Sequence, residues 1–189
     1  MRVIAGEYRS RPLKSLPGMD LRPTSDRMRE TLFNVLASSS SLEGSIWLDL
    51  FAGTGAVGIE AISRGARQVH FVEEDRKHAR LIRENLKSLQ IYSGFEVYET
   101  DVASALRGLA ATGVLCDFCF LDPPYRLRGA YARTLEFLGT SGMIGPSTIV
   151  IAEHEKKFDM QEFYGGLARY RKIVQGDAVV SLYRLDREK

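Results

Sequence analysis

The chain has 189 residues, 44% of them hydrophobic and 26% charged, with a formal net charge of +2. That length and balance suit one globular domain with a sizeable core and exclude a disordered chain. No apolar run reaches the ~18 residues that a membrane span needs, and Met1-Arg2-Val3-Ile4-Ala5-Gly6 lacks the apolar stretch of a signal peptide, so a cytoplasmic protein is the expectation.

Residues 1–24 read as a basic arm, an irregular or short β-hairpin with Pro and Gly between its limbs. Arg2, Arg9, Arg11, Lys14, Arg22, Arg27 and Arg29 crowd this end of the chain. A net charge of +2 is too small to argue for nucleic acid by itself, but this clustering makes a local basic surface suited to phosphate contacts, or else a solvated basic face. Residues 25–189 then read as a single domain. Ser25 or Asp26 caps a helix whose apolar face is Met28, Leu32, Phe33, Val35 and Leu36. After the serine run at 38–41, strands and helices alternate. Ile46–Leu50 is a strand and Val57–Ser63 a helix; Gln68–Val72 is a strand and Asp75 caps a long helix; Phe95–Tyr98 is a strand and Val102–Ala111 a helix. A fourth strand spans Val114–Leu121, a helix Ala130–Leu138, and a fifth strand Thr148–Ala152, before a terminal hairpin of Tyr170–Val174 and Val179–Leu185. Such alternation predicts an α/β fold: a mostly parallel sheet, seven strands in all, with helices on both faces and closed by antiparallel strands.

Two loops carry chemistry. Asp49-Leu50-Phe51-Ala52-Gly53-Thr54-Gly55-Ala56-Val57-Gly58 joins the first strand to its helix and contains G-x-G-x-x-G, which allows a tight turn and close approach of a ligand to the backbone. Glu73 closes the next strand about 20 residues on, where such folds bond ribose hydroxyls. The glycines alone would fit a dinucleotide. Asp49 before them, poised for an ammonium group, and Asp101 beside Val102 after the third strand, poised for an adenine amino group, favour S-adenosylmethionine. A pyrophosphate would avoid a nearby carboxylate. Asp49 could instead serve a structural hydrogen bond, and Asp101 could simply cap the helix that follows.

The second loop is Asp122-Pro123-Pro124-Tyr125, directly after the apolar run Phe118-Cys119-Phe120-Leu121. Asp122 and the Pro123 carbonyl can accept from a ring amino group, the prolines stiffen the loop, and Tyr125 can stack on the ring. Such stacking contributes on the order of 1–3 kcal/mol. This arrangement suits alkylation of an exocyclic amine of a nucleobase, although Asp-Pro-Pro is also a good turn sequence. Cys116 and Cys119 form a C-x-x-C within a strand, where positions three apart face opposite ways, so core packing is expected. His70, His78 and His154 have no ligand spacing, and no metal is expected.

Asp49 to Gly58 together with Asp122 to Tyr125 resembles the class I, Rossmann-like amino-methyltransferases, which implies a Rossmann-like α/β fold. More narrowly, Arg2-Val3-Ile4-Ala5-Gly6 and Leu21-Arg22-Pro23-Thr24-Ser25-Asp26-Arg27-Met28-Arg29-Glu30-Thr31-Leu32-Phe33-Asn34 resemble the bacterial RsmD family, guanine-N2 methyltransferases of small-subunit (16S) ribosomal RNA. The resemblance covers nearly the whole chain, and the Arg22–Asn34 stretch is its most specific part. It implies that Gly53 and Gly55 hold the methionine part of S-adenosylmethionine, Glu73 its ribose and Asp101 its adenine, with Asp49, Phe51 and Val102 in the same site. It assigns Asp122, Pro123 and Tyr125 to the target base. Arg9, Arg11, Arg22 and Pro124 fall to the RNA. It implies a monomer acting on 16S ribosomal RNA, within the small subunit or a late assembly intermediate. Rival readings are an adenine-N6 or cytosine-N4 DNA methyltransferase, a methyltransferase acting on a protein amide and a catalytically inactive RNA-binding module. An NAD-dependent oxidoreductase is disfavoured, because no hydride-site constellation is present.

Overall fold

The computed structural model describes residues 1–15, 25–124 and 127–186. Five helices are present among them: α1 (Asp26–Ala37), α2 (Ala56–Ser63), α3 (Arg76–Ser88), α4 (Val102–Ala111) and α5 (Gly129–Leu138). The strands are β1 (Ile46–Leu50), β2 (Gln68–Val72), β3 (Phe95–Tyr98), β4 (Cys116–Leu121), β5 (Ile144–Glu155), β6 (Phe163–Tyr164), β7 (Leu167–Gln175) and β8 (Ala178–Leu185). They form one sheet in the order β3-β2-β1-β4-β5-β8-β7-β6. The strands β1 to β5 run parallel, while β8, β7 and β6 join antiparallel. The seven expected strands are thus joined by an eighth, β6, whose two residues are too few to show any period in the sequence. Among the described residues no helix is long and apolar enough to cross a membrane.

Alternation along the strands divides the core between two faces. Trp47, Val69, Phe71, Phe118, Phe120, Ile149, Ile151, Val180 and Leu182 pack with α1, α2 and α3. Leu48, Leu50, Val72, Cys119, Leu121, Val150, Ala152 and Tyr183 pack with α4 and α5. Trp47 is fully buried and stacks between Phe33 and Phe118, with ring centroids 5.2 and 4.5 Å away. Such offset pairs add to the area buried. Ser25 caps α1, its Oγ accepting from Met28 N at 3.1 Å. Asp75 caps α3 through Lys77 N and His78 N. Each cap satisfies donors that a helix start leaves open.

The cysteine expectation fails in its geometry. Cys116 and Cys119 lie in the same core cluster, because the β4–β5 register shifts between Cys116 and Phe118 and breaks the two-residue alternation there. Both remain free thiols packed in the core, as expected, and burial pushes both pKa values up.

The start of the basic arm is docked on the body rather than paired as a regular hairpin. Its only β pairing among the described residues is a single antiparallel bridge, Arg2 to Pro12. Buried Glu60 of α2 accepts from Ile4 N at 2.7 Å and Ala5 N at 3.1 Å. Ser63 adds its carbonyl to Glu7 N and its Oγ to Tyr8 N. Asn85 of α3 accepts from Lys14 N, and its amide donates to Lys14 O and Thr54 O. Val3 and Leu13 sink into the core. The arm's backbone polar groups are therefore met partly by α2 and α3 and partly across its own limbs, where Val3 N donates to Arg11 O, Ser10 N to Val3 O and Leu13 N to Met1 O.

Candidate active site

The strand order reverses between β1 and β4, so the loops after these two strands diverge and leave a crevice at their carboxyl ends. Both chemical motifs fall there. The loop after β1 is tightly held. Phe51 sits at φ 60° and Gly55 at φ 76°, and Gly55 is the N-cap of α2. A left-handed φ is costly for a phenylalanine, on the order of 1–3 kcal/mol, and persists where the surroundings over-determine it. Here Ala52 N donates to Val72 O at 3.0 Å and Gly55 N to Ala52 O at 2.7 Å. Gly58 is required by packing: a Cβ there would lie 2.3 Å from Phe71 Cε1.

Glu73, at the end of β2, accepts from Gly53 N at 2.8 Å and from Asp75 N at 2.9 Å. It lies directly beneath the glycine loop and fixes it to the start of α3. Asp49 is 1% exposed and accepts from Gly58 N at 2.8 Å, in the first turn of α2. Burial pushes its pKa up to about 7, and Glu73 adds to the rise while the Gly58 bond opposes it. Asp49 thus makes the structural hydrogen bond that the sequence left open as an alternative to ligand contact. Asp101 caps α4 by accepting from Ser104 N at 2.9 Å, and bonding at Ser104 holds its carboxyl below the usual range. Its neighbour Val102 is buried against the α4–α5 core.

Asp122 follows β4 directly and is partly buried; Pro123 is buried and Pro124 half-buried. Burial, then the carboxylates of Glu153 and Asp49, push the Asp122 carboxyl well above the ordinary carboxylate range. Leu127 N donates to the Pro124 carbonyl at 2.7 Å. Tyr125 and Arg22 lie outside the described residues.

The structure brings Asp49, Phe51, Gly53, Gly55, Glu73, Asp101 and Asp122 to the carboxyl edge of one sheet. The basic residues scatter more widely. Arg9 borders a groove of about 390 Å³ with Arg2, Arg27, Asp26 and Glu30. Arg11 donates to Ser88 O at 3.0 Å. Arg29, counted with the basic surface from its sequence position, is fully buried and bonds Arg2 O and Asp26 instead. Its place on the inner face of α1 put it under the arm. Glu153 of β5 went unread because nothing in Ile151-Ala152-Glu153 marks it; the β4–β5 register, whose last pair is Leu121 with Ala152, brings it close enough for its carboxylate to act on Asp122. Among the described residues no group of three or more His, Cys, Asp or Glu converges to hold a metal.

The model of the family described as Conserved hypothetical protein 95 matches residues 1–184. Ribosomal RNA small subunit methyltransferase D of Escherichia coli K12 is 33% identical over 184 residues, covering 97% of this chain and 89% of that one. The solved structure of the Escherichia coli protein yhhF superposes with a TM-score of 0.83 at 31% identity, over 98% of each chain. The solved structure of SMU.776 complexed with SAH shares the fold at a TM-score of 0.67 and 15% identity, over 85% of this chain and 49% of that one.

Proposed function

We propose, since the chain belongs to the family of ribosomal RNA small subunit methyltransferase D, that it methylates the exocyclic N2 amine of a guanine in small-subunit (16S) ribosomal RNA. The donor in this reading is S-adenosylmethionine. The observation that carries it is the placement of Asp122, with its raised pKa, across the sheet's reversal point from the glycine loop. One crevice can thereby hold a nucleoside cofactor and a flat base edge to edge.

The donor's methionine part would lie along Gly53 and Gly55, its ribose toward Glu73 and its adenine between Asp101 and Val102. Asp49 shapes this half of the site through its bond to α2 rather than by reaching out itself. On the other half, Asp122 and the Pro123 carbonyl accept the two hydrogens of the base amine, and Tyr125 stacks on the ring. A guanine amine is a poor nucleophile because its lone pair is delocalised. Two acceptors favour a pyramidal nitrogen whose lone pair points at the methyl carbon. The new N–C bond forms as the C–S bond breaks, and the sulfur keeps that electron pair. The positive charge moves to nitrogen, where Asp122 stabilises it, and a proton then leaves. Alignment of two bound reactants supplies much of the rest. The base must leave its stack to reach the crevice.

Arg9 and Arg11, with Arg22, are assigned to the RNA backbone, and a cytoplasmic monomer is the form proposed to act. The test is a methyl-transfer assay with S-adenosylmethionine and unmethylated small subunits, free 16S ribosomal RNA or unmethylated DNA, read by nucleoside mass spectrometry. N2-methylguanosine from ribosomal material is expected. Methyladenine or methylcytosine from DNA would overturn the substrate, and no product with any of them would overturn the reaction.

A further inference from the structure

Three acids share one face of the sheet at its carboxyl edge. Asp49 and Phe120 are register partners, as are Leu121 and Ala152. Continuing β4 and β5 by one residue sets Asp122 beside Glu153. Phe118, Phe120, Ile149 and Ile151 point to the face covered by α1, α2 and α3. By the two-residue alternation, Asp122 and Glu153 turn to that face too, as does Asp49 two residues after Trp47. Glu153 is 7% exposed, and the Tyr131 hydroxyl donates to its backbone carbonyl at 2.5 Å, which fixes this end of β5 against α5.

A cation is buried on the same face. Arg29 of α1 is fully buried, and one of its nitrogens bonds Arg2 O at 2.6 Å and Asp26 at 2.8 Å. Its Nε and second terminal nitrogen have no partner. The carboxylates that offset the burial of its charge are Asp26, Glu60 and Glu153, on three different elements. A buried guanidinium on this face favours keeping one negative charge among these acids over protonating them all.

We propose that Glu153 is a positioning residue for the methyl transfer, sharing one proton with Asp122. The inference rests on the reading of Asp122 as the acceptor of the base amine. Two carboxyls side by side, one buried and one partly buried, resist ionising together, so the pair rests with one proton and one negative charge. With the shared proton on Glu153, the charge on Asp122 accepts the amine hydrogen. After the methyl carbon has moved to nitrogen, the proton shed by the methylated amine enters the pair, leaving both carboxyls neutral until one proton passes to water. Glu153 touches neither base nor cofactor in this scheme. Among the described residues, the charged groups that act on Asp122 are Glu153 from β5 and Asp49 from β1, and Arg29 from α1 acts on Glu153.

The experiment titrates the Asp carboxyl ¹³C signals of wild type and Glu153→Gln, with Asp122 assigned by its loss in Asp122→Asn, and records the pH profile of kcat/KM for the same proteins. Glu153→Gln keeps the size and the hydrogen-bonding capacity but removes the second carboxyl. The Asp122 midpoint should fall by about one pH unit or more, and the acid limb of the profile should move down with it. Glu153→Asp should restore the wild-type position, and the cofactor KM should not change. An Asp122 midpoint equal in wild type and Glu153→Gln overturns the pairing. A midpoint that falls while the acid limb stays overturns its part in the reaction. If wild type methylates nothing, the functional reading fails, while the carboxyl titration still decides whether the two acids share a proton.

Discussion

Replacing Asp49 by Asn should stabilise the unliganded protein at neutral and alkaline pH and change it far less in acid. The Asp49 carboxyl is closed from water, and its pKa rises from 3.8 to about 7 because burial outweighs the hydrogen bond from Gly58. A group whose folded pKa lies above its unfolded one holds more protons in the folded state between the two values. Stability therefore falls as pH rises through that window, here from about 4 to about 7, and is level beyond it. At ~1.4 kcal/mol for each pH unit, the full cost of ionised Asp49 above neutral pH is about 4 kcal/mol, and about 3 kcal/mol of it accrues between pH 5 and pH 8. Asparagine has no charge to desolvate, and its Oδ1 can still accept from Gly58 N. Urea unfolding of wild type and Asp49→Asn at pH 5 and pH 8 measures the effect directly. The gap between them should widen by about 3 kcal/mol in favour of the variant at the higher pH. A gap independent of pH would refute the argument that a buried, unpaired charge sits under α2.

Asp122→Ala should keep S-adenosylhomocysteine binding, read as a rise in Tm, and lose most turnover; a rate near wild type would sink the assignment. Because Asp122 must be ionised to accept and its pKa is raised, kcat/KM should climb with pH through a limb lying above the ordinary carboxylate range. Converting Arg9 and Arg11 to Ala should raise the KM for RNA and flatten its salt dependence, and unchanged values would remove the arm from the RNA contact. Glu60→Ala strips the acceptor from Ile4 N and Ala5 N and the partner from Arg64. It should cost about 3 kcal/mol or more and expose residues 1–15 to limited proteolysis. Gly58→Ala drives a Cβ into the Phe71 ring and should cost about 1–3 kcal/mol in urea unfolding, with no change expected if the ring could simply step aside.

The sequence by itself determined the succession of elements. The strands Ile46–Leu50, Gln68–Val72 and Phe95–Tyr98 and the helix Val102–Ala111 stand where period and caps placed them, because a short strand between turn signals and a capped amphipathic helix are local matters. It also determined that the glycine loop and Asp122 follow strands, and so share the carboxyl edge of a parallel sheet. Strand β5 runs from Ile144 to Glu155, well past Thr148–Ala152, because pairing with β8 extends it through residues whose own pattern is mixed. Only the tertiary structure decided the rest. Arg29 reads as one more cation in a basic run, and its burial depends on which side of α1 the arm covers. Glu73 and Asp49 read as ligands for a cofactor, yet their oxygens first hold the loop and α2 in place. The neighbourhood of Asp122 and Glu153 depends on the β4–β5 register, a pairing between strands far apart in sequence, and no local pattern along either strand encodes it.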